Sequence, residues 1–419
     1  MIRKFFVASI AIGFLLLLGV GLAEIVLRLL PAQYIPGQAG GPRLVKDPDI
    51  GYKREAKAHQ SVISSCYAIA NITTNNQGFR GGDWDRSKDS IVVLGDSFTE
   101  GLQVSDQQTA SAVLGQMLPF QTLNSGISSF GTVGEREIYL KYLRPLKPKV
   151  TVLYFLTAND IEDNFCDLRR AADGTTTKIC GSLSDSGELV VHKKLYTAST
   201  NPVVTAVMNN CRFCQLLKQV SKKIISSADQ QAISSEGYRS YETATSTTMS
   251  QAWGVTEQAL LALRRDIESD GGKLLIVTVP DYARTSKDWQ SELKAHGYSE
   301  DRIAELDPQA PLEHLKDIAT RDNLTLLTLE EGFLQYRDQY NLPAPYFSYR
   351  CDGHWNPLGH YLAAQLTGQY LLEHDYLDLA TSTRDILLGA VQTNLQKAPQ
   401  AILGEIGYKE IYQNGIYHD

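Results

Sequence analysis

Short, largely apolar runs recur along this chain, and between them the apolar residues take helical spacing. Ile91-Val92-Val93-Leu94 has no polar residue at all, and comparable runs occupy Val150–Leu156, Lys273–Val279 and Leu324–Leu329, with a weaker one at Phe120–Leu123. A strand covered on both faces reads this way, because neither face meets water. Helical patterns fill the gaps at Thr109–Leu118, Glu135–Leu143 and Thr256–Ser269. In the last, Leu260, Leu261, Leu263 and Ile267 make one apolar face, and Thr256 is placed to cap its start. A further helix is expected over Leu358–Leu372. Strand–helix alternation of this kind predicts a three-layer α/β/α sandwich, flavodoxin-like, with a central parallel sheet of about five strands. Ligand sites in such sheets lie at the carboxyl ends of the strands.

The remaining segments are read around that frame. Met1-Ile2-Arg3-Lys4 is basic, and the 19 residues Phe5–Ala23 carry no charge. That is close to the roughly 20 residues a helix needs to cross a bilayer. Residues 1–30 are therefore expected to be a signal-anchor transmembrane helix with the rest of the chain outside the cytoplasm. A cleaved signal peptide ending near Gly21-Leu22-Ala23 is an alternative, and a buried soluble helix a third. Residues 31–89, broken by Pro31, Pro36, Gly37, Gly40, Gly41 and Pro42, are expected to be an irregular tether and extension. The main domain should occupy 90–375, with an insertion at 164–252 beside the site, and 376–419 form a tail. With 47 acidic against 40 basic residues, a net charge of −7 and no basic block beyond the N-terminus, a general nucleic-acid binder is excluded.

Export would expose six cysteines to an oxidising compartment, where disulfides persist. Cys166–Cys180 is a plausible local bridge, and Cys66–Cys351 would pin the extension beside the later motif. Cys211 and Cys214 read as half a zinc site or a redox pair, with no second pair to complete it; buried free thiols are the alternative for any of the six.

Chemistry concentrates after the apolar runs. Gly95-Asp96-Ser97-Phe98-Thr99-Glu100-Gly101 follows the first, placing Ser97 on a sharp strand-to-helix turn with the next amides open to an anion. A plain turn with Ser97 as helix cap is the competing view. Asn124-Ser125-Gly126, Ala158-Asn159-Asp160 and Asp352-Gly353-His354 follow later elements. Together the four blocks, in this order, resemble the SGNH/GDSL hydrolase family, in which they supply Ser, Gly, Asn and His. Asn76-Gln77-Gly78-Phe79-Arg80-Gly81 and His354-Trp355-Asn356-Pro357-Leu358-Gly359-His360 also look like phrases of membrane-anchored bacterial members.

The residues support the same chemistry. Ser97 is the expected nucleophile, His354 its base and Asp352 the group that orients and charges the imidazole. The N–H groups of Ser97 and Gly126 and the side-chain amide of Asn159 would form an oxyanion hole. In isolation Gly126 is equally an ordinary turn glycine and Asn159 a strand-end cap. Asp160 reads as a brace for its loop. The commonest family pattern has Asp three residues before His; the spacing here is two, as in periplasmic alginate-acetylation proteins that resemble the family. His360 is a rival base, and His59, His192, His296, His314, His374 and His418 lack any metal-like grouping. No metal or other cofactor is needed. The resemblance implies an extracytoplasmic esterase or acyltransferase acting on O-acetyl groups of a polysaccharide, beside polysaccharide-modification machinery. A lipid or small-ester hydrolase is an alternative, as is a non-catalytic glycan-binding partner. Tyr282, Trp289, Tyr346, Tyr349 and Trp355 are candidate stacking surfaces.

Overall fold

The computed structural model describes residues 2–30, 38–64, 66–168, 179–193, 211–214, 216–217, 239–243, 246–295, 298–342, 346–349 and 352–405. It opens on a 28-residue helix, α1 (Ile2–Leu29), which contains the uncharged run. Among the described residues no helix is long and apolar enough to cross a membrane.

Within the segment expected to be irregular, the described residues 38–73 form antiparallel strands. Strands β1 (Gln38–Gly40), β4 (His59–Ser64) and β5 (Ala68–Thr73) form one sheet, and β2 (Leu44–Asp47) pairs with β3 (Gly51–Arg54) as a hairpin. These strands are short, polar on one face and broken by glycine, so they lack the apolar runs that marked the main sheet. They are held by what they cover. Val62, Tyr67, Ala70 and Ile72 bury against Val104, just past the Ser97 turn, and against Tyr349, just before Asp352.

The central sheet has five parallel strands: β6 (Ser90–Gly95), β7 (Gln121–Asn124), β8 (Val150–Phe155), β11 (Lys273–Thr278) and β12 (Leu326–Leu327), ordered β12-β11-β8-β6-β7. Val93 stands opposite Val152, and Leu153 opposite Ile276. Strand β12 is shorter than its run suggested because, at the edge, it pairs only with β11. Alternate residues feed two cores. Val92, Leu94, Leu153, Phe155 and Ile276 face α4 (Thr132–Ile138), α5 (Thr247–Ser269) and α6 (Ala310–Arg321). Ile91, Val93, Val152, Tyr154, Leu275 and Val277 face α3 (Ala110–Met117), α7 (Glu330–Gln339), α8 (Pro357–Glu373) and α9 (Thr381–Leu395). The tail is thus partly helical, and Val391, Ile402 and Leu403 are buried in this second core.

Helix α5 starts nine residues earlier than its apolar face suggests. Ser246 caps it, accepting the Met249 N–H at 3.1 Å. Thr256 is mid-helix, returning its hydroxyl to Ala252 O at 2.9 Å while accepting from Asn164 at 3.1 Å. A polar first half hid those turns, since only burial beside Trp253 and Val255 makes them pay.

Within the insertion, Cys166 and Cys180 are bonded, and Ser184–Gly187 form the turn of a hairpin between β9 (Cys180–Leu183) and β10 (Leu189–His192). Most of the expected insertion lies outside the described residues. Cys211 and Cys214 form a disulfide with each other, which corrects the half-zinc-site expectation. Cys66 is disulfide-bonded, while its expected partner, Cys351, lies outside the described residues.

Candidate active site

In sheet order, β6 lies between β7 on one side and β8 on the other, so the chain winds both ways from it. A crevice opens at the carboxyl ends of the strands at such a point. Ser97 follows β6, Gly126 follows β7 and Asn159 follows β8.

Gly95 makes the Ser97 turn possible. At φ +150° a side chain there would overlap Thr99 Oγ1 and press within 2.9 Å of Tyr154 O. The short helix α2 (Ser97–Glu100) is capped by Asp96, whose Oδ1 accepts the Phe98 N–H at 2.9 Å, so Ser97 is not the cap. Its hydroxyl is left for other partners. Gly101 closes the turn in the left-handed conformation at φ +61°.

His354 Nε2 lies 2.7 Å from Ser97 Oγ, and its Nδ1 is hydrogen-bonded to Asp352 Oδ1. The two-residue spacing works because Gly353, at φ +85°, folds the backbone: the N–H groups of Asp352 and Gly353 both reach Tyr349 O, and Tyr349 donates back to His354 O at 2.9 Å. The imidazole rests on Phe98, ring centres 4.8 Å apart. Burial works against a charged imidazole, but the bond to Asp352 and its charge, with Asp96 and Glu100 beyond, outweigh it and hold His354 above the usual histidine value. Burial likewise opposes the Asp352 charge, and His354 overcomes it, keeping that carboxyl below the usual range.

His360 does not compete. It is 1% exposed, its Nδ1 accepts the Ala110 N–H at 3.2 Å, and burial drives its pKa down to about 3. It is a neutral core side chain packed against Trp355.

Gly126 differs from the expectation. Its N–H donates to Asn124 Oδ1 at 3.0 Å. A side chain there would overlap Glu100 N and lie 2.7 Å from Thr99 Cβ, so the glycine lets the β7 loop press onto the Ser97 turn. Asn159 donates through Nδ2 to Asp96 Oδ2 at 3.1 Å, which uses one of the two hydrogens of that amide. Asp160 accepts the Leu156 N–H at 2.8 Å and closes its own loop, as a brace does. Burial, with like charges on Glu135 and Asp96, pushes Asp160 well up, and burial with Asp96 and Asp163 does the same to Glu135. Glu135 has no role readable from sequence, since it sits on the helix pattern like any surface acid.

Serine, asparagine and histidine from three separate blocks therefore meet, with an aspartate behind the histidine. It is an arrangement that can carry acyl transfer through a serine. Of the candidate stacking residues, Tyr346, Tyr349 and Trp355 are buried in the core. Tyr282 and Trp289 are half-buried past the end of β11, and Trp289 packs on a cluster that reaches Ala158.

No family model matches the chain, and no curated protein matches it by sequence. Solved structures do align with it. An acetyl xylan esterase, AlAXEase, is 13% identical with a TM-score of 0.35, covering 67% of this chain and 99% of its own. TesA is 11% identical with a TM-score of 0.35, covering 69% and 100%. A variant of an acetyl-xylooligosaccharide esterase from Geobacillus stearmophilus is 12% identical with a TM-score of 0.33, covering 70% and 97%.

Proposed function

We propose that the chain is a serine esterase or acyltransferase acting through an acyl-Ser97 intermediate. The observation that carries this is the 2.7 Å contact between Ser97 Oγ and His354 Nε2, with Asp352 on the far nitrogen. Ser97 Oγ attacks the ester carbonyl as His354 takes its proton. The carbonyl oxygen becomes an oxyanion, and the Ser97 N–H and the second Nδ2 hydrogen of Asn159 are its donors. His354 returns the proton to the leaving alcohol, and the acyl group stays on Ser97. Water or a sugar hydroxyl then attacks the acyl-serine, giving up its proton to His354; the bond between the acyl carbon and Ser97 Oγ breaks, and His354 hands the proton back to that oxygen.

The substrate class we favour is the O-acetyl group of a polysaccharide, with the domain outside the cytoplasm and residues 1–30 holding it at a membrane. Three observations support it: the uncharged run Phe5–Ala23, cysteines that are bonded rather than free among the described residues, and half-buried Trp289 on the same cluster as Ala158, next to Asn159. Lipid or small-ester hydrolysis is the second reading, supported by the same N-terminal run.

The test compares the detergent-purified full chain with its Ser97→Ala variant on p-nitrophenyl acetate and acetylated xylan, with fluorophosphonate labelling alongside. Wild-type turnover and labelling, both abolished in Ser97→Ala at unchanged circular dichroism, is the expected result. Equal rates in both chains with no labelling would instead fit a non-catalytic glycan-binding partner.

A further inference from the structure

Two guanidinium groups, that of Arg80 buried and that of Arg54 half-buried, play no part in the chemistry above. Both come from the segment ahead of the main sheet, and both close on the turn that carries Ser97. Arg54, on β3, sets Nε 2.6 Å from Glu100 Oε1 and Nη2 3.1 Å from Oε2. Its Nη1 donates to Pro42 O at 3.0 Å, so the side chain is held at its other end too. Glu100 is 2% exposed, and its Oε2 also accepts the Ser128 N–H at 3.0 Å and the Ser128 hydroxyl. Ser128 lies in the loop after β7, and its carbonyl accepts the Tyr52 hydroxyl at 2.9 Å. One carboxylate therefore joins the extension hairpin, the Ser97 turn and the β7 loop. Arg80 adds a second clamp, donating to Glu100 O at 2.8 Å and to the carbonyls of Gly101 and Val104, and pairing with Asp106 at 3.1 Å.

We infer that Arg54 is a positioning residue for Ser97, acting through Glu100, and that the extension is a working part of the catalytic unit. The inference rests on the serine-hydrolase reading. Helix α2 has four residues and cannot hold its own angle, because so short a helix is not stable by itself. The carboxylate at its far end is charged, dry and fully hydrogen-bonded, and such a network admits one geometry. Burial opposes the Glu100 charge, yet Arg54 and the Ser128 donors hold its carboxyl below the usual range. The angle of the Ser97 hydroxyl toward His354 is thus set from a hairpin more than forty residues upstream. A displacement of about 1 Å at a reacting group can cost about 100-fold in rate.

The experiment uses the full chain in detergent, measuring kcat and KM on p-nitrophenyl acetate and the rate of fluorophosphonate labelling. The variants are Arg54→Met, Arg54→Lys, the double Arg54→Met/Glu100→Met, and Arg43→Met as control. Arg43 is exposed and spends its charge on Glu55 rather than on Glu100. The double variant removes both charges, so no unpaired carboxylate stays buried to unfold the protein. The expected result is a fall of about 10- to 100-fold in kcat and labelling rate for Arg54→Met and the double variant. KM should hold, lysine should restore part of the rate, and Arg43→Met should match wild type. A folded double variant that labels and turns over at the wild-type rate overturns the inference, as does a loss confined to KM. A wild-type chain that does not label at all overturns the serine-hydrolase reading itself, and this inference with it.

Discussion

The charge on His354 is set by two opposed effects, and their balance makes a prediction at the scale of one residue. Burial favours the neutral ring, and the Asp352 carboxylate favours the charged one and wins. A base must be neutral to take the Ser97 proton. The acid limb of the pH–rate profile should therefore fall above about 6.5, the ordinary histidine value. In Asp352→Asn the raising partner is gone and burial remains, so the limb should move to lower pH. The plateau should fall as well, by roughly 10³- to 10⁴-fold, because the amide no longer holds the productive tautomer. A kcat/KM profile of the two proteins on p-nitrophenyl acetate checks both points. A limb that stays in place would mean that Asp352 does not govern the imidazole.

Elements here are held by cross-links as much as by their own patterns. The Cys166–Cys180 bridge spans 14 residues and ties the end of the helix Asp160–Asn164, which begins next to Asn159, to strand β9. Closing a loop of that size limits the unfolded chain and is worth about 3 kcal/mol. The Cys166→Ser/Cys180→Ser variant should lose about that much in urea unfolding, with its Cm lowered. If the hairpin packs without the bridge, Cm will not move. Strand β12 and the first turns of α5 show the same dependence without covalent bonds, since neither has enough apolar residues of its own and each is completed by a neighbour.

For the whole molecule, the layout puts α1 at one end of the chain and packs the antiparallel strands of the extension beside the catalytic turn. On the anchored reading, the chain expressed in a bacterial host should sediment with membranes and resist carbonate extraction. Protease added to spheroplasts should reach the domain from outside. Removal of residues 1–30 should release it to the soluble fraction, because no other uncharged run in the sequence is comparably apolar. A full-length chain recovered in the soluble fraction would contradict the anchor.

The sequence by itself determined the parallel sheet and the positions of Ser97, Asn159, Asp352 and His354 at the ends of its elements. Those features are local: an apolar run reports a strand buried on both faces, and Gly95, Gly101 and Gly353 report turns through their own backbone freedom. Only the tertiary structure decided the rest. The antiparallel extension, the commitment of the Gly126 N–H to Asn124, the burial of His360 and the Arg54–Glu100–Ser128 junction depend on which surfaces meet. His354 and His360 are both histidines within one phrase; Asp352 two residues earlier favours His354, but only the fold shows where each ring lies. One faces the crevice beside a carboxylate and the other faces the core, and that difference in solvent and charge gives them opposite pKa shifts.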